Sequence, residues 1–231
     1  MRALIVLISL VSSLASAAQL SEVETRWLSA GLPVLAFAKQ QLRLPIDIVV
    51  QPQAQPGDVP LALGFDQGRC KLVLSMRGNP QAEAVLQALP PEQHQLMIEA
   101  MTAHEIGHCW RYVQGAWHAL PAGFVENLAP VVTPELLPLA QSLRATRREE
   151  GYADLVALAW IQQQHPAQYA LVVAWLDKVR QPALEEGSVG SHDTRVWLHL
   201  APRGAAFDAS QSLFEQAATL WRQGLLADDA L

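Results

Sequence analysis

The sequence predicts an α+β protein: a small twisted, mainly antiparallel sheet, a site-bearing helix, and then a helical lobe. Three observations carry this. Short apolar runs bounded by Gly, Pro and Asn are confined to residues 45–76, apolar residues at helical spacing fill most of the chain after 81, and one of those helical stretches carries paired histidines.

The first segment stands apart from the fold. Met1 and Arg2 precede an apolar run ending at Val11, and Ala15-Ser16-Ala17 supplies a small-residue cleavage pattern, so 1–17 reads as a secretory signal peptide. Residues 18–231 then form one domain, with its sheet-containing part to about 115 and its helical part beyond. No later stretch is apolar for long enough to span a bilayer, so no stable membrane insertion is expected after signal removal. The expected location is the periplasm or the medium. Loss of Arg2 takes the net charge from −6 to −7 without blocks of like charge, which argues against nucleic acid or anionic lipid as partners.

Ser21 with Glu24 forms a capping box, and Val23, Trp27 and Leu28 continue a helix that Gly31 and Pro33 are expected to interrupt before a second piece at 34–42. Residues 45–51 alternate Ile46, Ile48 and Val50 against Asp47, Val49 and Gln51, a strand with one face more deeply buried. Residues 61–65 and 70–76 flank Asp66-Gln67-Gly68-Arg69 and read as a hairpin. Helices are expected at 81–89 and at 92–113, where Pro91 suits the first turn and Leu96, Ala100, Ala103, Ile106, Gly107 and Trp110 form one stripe. Pro121, Gly123, Pro130 and Pro134 make 115–134 irregular, lying over or beside the site. Helices at 139–164, 168–180, 194–200 and 209–223 complete the chain.

Thr102 to Cys109 contains the pattern His104-Glu105-x-x-His108 inside the strongest helical stretch. Two histidines four residues apart project from one helix face and can reach a single Zn2+ ion, while Glu105 faces the water on that ion. Zinc lowers the pKa of such a water and the carboxylate can take its proton, the general-base role. Two histidines and a glutamate among apolar residues would be costly to bury without a partner such as a metal. A third ligand comes from elsewhere. Glu150 offers it, with Glu149 its nearest rival, and Asp154 one turn on can accept the outer N–H of a ligand histidine.

His-Glu-x-x-His followed by Glu150-Gly151-Tyr152-Ala153-Asp154 resembles the gluzincin zinc peptidases, the group that includes thermolysin and the CaaX prenyl endopeptidases. The similarity covers about a quarter of the chain, roughly from Glu99 to Trp160. A metzincin pattern fails, since Arg111 stands where it needs glycine and Gln114 where it needs a third histidine. The resemblance implies a zincin-like catalytic domain that hydrolyses peptide or protein substrates with one zinc per chain. It also implies a sheet edge lining the cleft, with 71–75 as the expected edge, and a late histidine or tyrosine steadying the oxyanion. His192 is the candidate, with Asp193 orienting it or capping the next helix, and Tyr112 is a second candidate that also suits core packing. Forty-one residues separate His108 from Glu150, a longer gap than thermolysin's, and inhibition by a folded propeptide is not expected. A silent zinc-binding relative, or a zinc hydrolase of a non-peptide amide or ester, would share these residues, although pure binding has no need of Glu105.

Cys70 opens a predicted strand and Cys109 lies on the site helix. After export an even count permits one bridge between them, the other reading being two buried thiols. His94, His118, His165 and His199 lack partner spacing and read as surface or satisfied histidines.

Overall fold

The computed structural model describes residues 19–126, 135–181 and 190–228. The segment 1–17 expected to be a signal peptide and the part of the proline-rich stretch from 127 to 134 lie outside them. The chain is α+β and mostly helical, and one apolar core runs from Trp27 of the first helix to Leu225 of the last.

Helix α1 (Glu22–Ala36) begins as its capping box dictates, Glu24 N donating to Ser21 Oγ and Ser21 N donating to Glu24 Oε2 at 2.6 Å. It does not stop at Gly31 or Pro33, but continues to Ala36 and into a π-helical turn, Phe37–Gln41. Burial of Trp27, Ala30, Val34 and Leu35 overrides the local propensity of proline, and Gly31 serves contact instead: a Cβ there would fall 2.5 Å from Thr102 Oγ1. Arg77 donates Nε and Nη2 to the two oxygens of wholly buried Glu24, each at 2.8 Å, and so ties α1 to the strand region.

Strands β1 (Ile46–Val50), β2 (Leu61–Asp66) and β3 (Arg69–Leu74) form a sheet ordered β1-β3-β2. The turn is a tight one, with Gln67 and Gly68 both at positive φ, 50° and 75°, as a two-residue hairpin requires. The sheet is mixed rather than mainly antiparallel, because β1 pairs with β3 in parallel and β2 pairs with β3 antiparallel. Residues 71–75 are correspondingly not its edge. Strand β3 lies between the others with Leu72 and Leu74 buried, and the edges are β1 and β2. Alternation along a strand reports which face is buried and says nothing of its neighbours, so the sequence left order and direction open.

Residues 81–89 contain one short 3₁₀ turn, Ala84–Leu86, instead of a helix, bracketed by Pro80 and Pro90. Helix α2 (Pro91–Val113) has Pro91 in its first turn, and every residue from Leu96 to Cys109 except Met101 is buried. It packs against α3 (Leu137–Gln164), whose residues from Arg147 to Ile161 are buried except Glu150. The two helices touch at Gly107, where a Cβ would sit 3.0 Å from Ala153 Cα. Buried Glu99 accepts from Trp160 Nε1 at 2.7 Å and pairs with His165 at 3.1 Å, a second tie between them.

Helices α4 (Tyr169–Val179), α5 (Arg195–Leu198) and α6 (Leu213–Asp228) close the core. Trp197 of α5 is wholly buried between Gly151 and Gly224, at each of which a Cβ would fall 2.3 Å from its ring. Arg147 and Arg148 of α3 both donate to wholly buried Asp228 at the end of α6. No helix among the described residues is long and apolar enough to cross a membrane.

Cys70 of β3 and Cys109 of α2 are joined by a disulfide that links the middle strand to the helix one residue past His108. Both sulfur-bearing residues are wholly buried.

Two expectations follow from these ties. The hydrogen bond from Arg77 outweighs burial and holds the Glu24 carboxyl below its ordinary value of 4.5. A group whose pKa is lowered on folding stabilises the fold at neutral pH and loses that effect as acid protonates it. Glu24→Gln should therefore melt below the parent at neutral pH, with the gap closing in melts below pH 4.5. The disulfide spans 39 residues, and replacing both cysteines by alanine should cost about 4 kcal/mol in denaturant unfolding if loop closure dominates.

Candidate metal centre

The helical period places His104 and His108 one turn apart on the face of α2 that meets α3, and the close approach at Gly107 brings Glu150 opposite them. His104 Nε2 and His108 Nε2 are 3.0 Å apart, and the Glu150 carboxylate lies 3.4 Å from the first and 3.3 Å from the second. One ligand atom from each of the three lies within 4.8 Å of the others, so the group could hold a metal ion.

The chemistry of these atoms tests that fit. His104 Nδ1 is 2.8 Å from Asp154 Oδ1, and a carboxylate there fixes the ring proton on Nδ1 and leaves the Nε2 lone pair facing His108 and Glu150. Two imidazole lone pairs and a carboxylate cannot satisfy one another at this range without a positive charge among them. A proton is one remedy. Burial opposes charge on His104, but Glu150 and Asp154 together overcome it and push the imidazole up to about 10. A divalent cation is the other remedy, and two imidazoles with a carboxylate are a suitable donor set.

Glu105 also opens onto the centre. Burial, aided by Glu150, raises its carboxyl above the ordinary value, against the pull of His104, His108 and Arg180. Glu150 goes the other way: burial would raise it, but His104 and His108 hold it well below. The rival ligand Glu149 faces elsewhere. Both its oxygens are taken by Arg111, at 2.7 and 2.8 Å, and Oε1 also accepts from His118 N.

Asp154 is wholly buried and does more than the sequence suggests. Besides His104 it accepts Arg180 Nε and Nη2, at 2.9 and 2.8 Å, and Thr194 Oγ1 at 2.5 Å. Burial would raise its carboxyl, yet Arg180 first and then His104 hold it low. Arg180, at the end of α4, also comes within 3.4 Å of Glu150 Oε2. Neither Arg180 nor Thr194 has a sequence spacing to the histidines that would have singled it out; a cation closing a helix reads first as a partner of the helix dipole.

His192 sits at the rim, its side chain 63% exposed and its Nε2 3.8 Å from Glu150 Oε2. Ser191 Oγ is its hydrogen-bond partner, at 2.9 Å. Asp193 does not orient it: that carboxylate binds Arg195 through its backbone N–H and its guanidinium. Tyr112 stacks on Phe65, with ring centroids 3.9 Å apart, and does not line the centre. His94, His165 and His199 pair with Leu89 O, Glu99 and Asp177, away from His104, His108 and Glu150.

The centre forms the floor of a cleft of about 450 Å³. Its lining includes the edge strand β2 with Val59, Pro60 and Trp117, and Trp27, Met101, Trp175, Leu176 and Val179. That lining is apolar, and the charged groups are those of the centre with Asp154, Arg180 and His192. The described part of the proline-rich segment thus reaches the cleft through Trp117.

No family model, curated protein or solved structure matches this chain. Asp154→Asn should weaken binding of added Zn2+ by roughly 10- to 100-fold, measured by competition with a chromophoric chelator on the folded variant.

Proposed function

We propose that the chain is an exported zinc-dependent hydrolase that cleaves peptide bonds. The observation that carries this reading is the convergence of buried His104 and His108 with half-buried Glu150, beside buried Glu105, at an apolar cleft. His104, His108 and Glu150 would hold the ion, which when bound supplies a Lewis acid and lowers the pKa of a water it carries. Glu105 takes the proton of the attacking water and returns it to the leaving nitrogen, a role that its raised carboxyl suits. His192 donates to the oxygen on which charge develops, from a rim position that can adjust to substrate. Asp154 and Arg180 keep His104 and Glu150 in place.

The walls suggest how a peptide is held. Strand β2 has one hydrogen-bonding edge unpaired among the described residues and lines the cleft, so an extended substrate can add to it. The apolar lining of Trp27, Met101, Trp175, Leu176 and Val179 suits a bulky apolar side chain. A disulfide in a wholly buried position is compatible with export to an oxidising compartment.

The test pairs metal analysis with cleavage of a diverse peptide library, for the parent and Glu105→Gln. One zinc per chain in both, with cleavage reduced at least about 100-fold in the variant, is the expected result. Zinc without cleavage in the parent would turn the reading towards a binding protein or a non-peptide substrate, and absence of zinc would overturn it.

A further inference from the structure

The two histidines of the centre are held by different means. His104 has a carboxylate on its outer nitrogen. Among the described residues nothing takes that role for His108: its Nδ1 is buried and has no hydrogen-bond partner there. A histidine that offers Nε2 to a cation carries its proton on Nδ1, and with no acceptor that proton cannot fix the ring's orientation. Glu149, next to Glu150, is the obvious candidate acceptor, but both its oxygens are engaged by Arg111 and by His118 N.

What lies against the His108 ring is Trp117, with centroids 5.5 Å apart and planes at 73°. Trp117 meets Phe65 edge-on at 5.1 Å, and Phe65 stacks in turn on Tyr112, one helical turn beyond His108. The loop bearing Trp117 is held at several points. Ala116 N donates to Arg111 O at 2.8 Å, Arg111 Nη2 donates to Ala119 O at 2.9 Å, and His118 N donates to Glu149 at 2.8 Å. His118 itself adopts a φ of 56°, a conformation that a non-glycine residue keeps only when its surroundings impose it. The anchors, Arg111 and Glu149, come from the same two helices that supply His108 and Glu150.

We propose that Trp117 is a positioning residue for the reaction proposed above, orienting the imidazole of His108 by packing where Asp154 orients His104 by hydrogen bonding. The inference rests on the metal-centre reading, and the ion-pair-anchored loop is the device that presents the indole. It assigns 115–119 a part in building the site as well as in bounding the cleft.

The experiment compares the parent with Trp117→Ala and Trp117→Phe in two measurements: Zn2+ affinity by chelator competition, and the imidazole NMR signals of the metal-free protein. Trp117→Ala should weaken Zn2+ binding by roughly 10-fold or more and shift or broaden the His108 ring signals while those of His104 stay. Trp117→Phe should recover most of both. Unchanged affinity and His108 signals in Trp117→Ala overturn the proposal, as does a phenylalanine variant no better than the alanine one. Trp117 is half-buried at a rim, so the alanine variant is expected to fold, and the phenylalanine variant carries the test if it does not. A parent that binds no Zn2+ removes the hydrolase reading, while the metal-free ring signals still decide the role of Trp117.

Discussion

The approach of α2 to α3 at Gly107 is the constraint on which the remaining structure depends. A methyl group at that point would press on the backbone of Ala153 and on Val156, so the interhelical distance is set by the absence of a side chain. At that distance His104 and His108 meet Glu150 and Asp154 across the seam. A helix pair held further apart would leave the carboxylates beyond reach, because the histidine ring and the glutamate chain have fixed lengths. The buried Glu99–Trp160 and Arg111–Glu149 contacts fix the same pair along its length on either side of the centre.

The charges at the centre make sense only as a set. A wholly buried Asp154 would be costly alone, yet it gathers a histidine, a guanidinium and a hydroxyl, and each of these comes from a different element. Helix α3 supplies the anion, α2 the imidazole, the end of α4 the cation and the start of α5 the hydroxyl. One side chain thereby cross-links four helices, and the geometry of His104, His108 and Glu150 is inherited from the packing of the whole helical lobe.

How much of this was legible in the sequence depends on whether the signal was local. The capping box at Ser21 and Glu24, the hairpin at Gln67-Gly68 and the long helix around the histidines are each encoded within a few residues, and each is present. Glu150 and Asp154 were legible because they too are one helical turn apart and precede an apolar run. Arg180 and Thr194 were not, because they reach the site from remote segments with no spacing rule connecting them to it, and Trp117 was not, because a loop so close to the helix carries no periodicity to say which of its residues turns inward. The strand order failed for the same reason: a five-residue alternation such as Ile46 to Val50 carries no information about partners. Helix α1 running through Pro33 shows tertiary burial overruling a local preference that reads clearly on its own.

Trp197 lies between two glycines, one of them directly after Glu150 and the other on α6. The glycine in Glu-Gly-Tyr-Ala-Asp thus has a duty unrelated to ligands: it makes room for an indole. In descent, the three positions 151, 197 and 224 are bound to one another, since any larger residue at either glycine evicts the ring, and a smaller residue at 197 lifts the restriction on both. A lineage that drifts at 151 should carry a compensating change at 197, leaving a trace of the core's history inside what looks like a purely chemical motif.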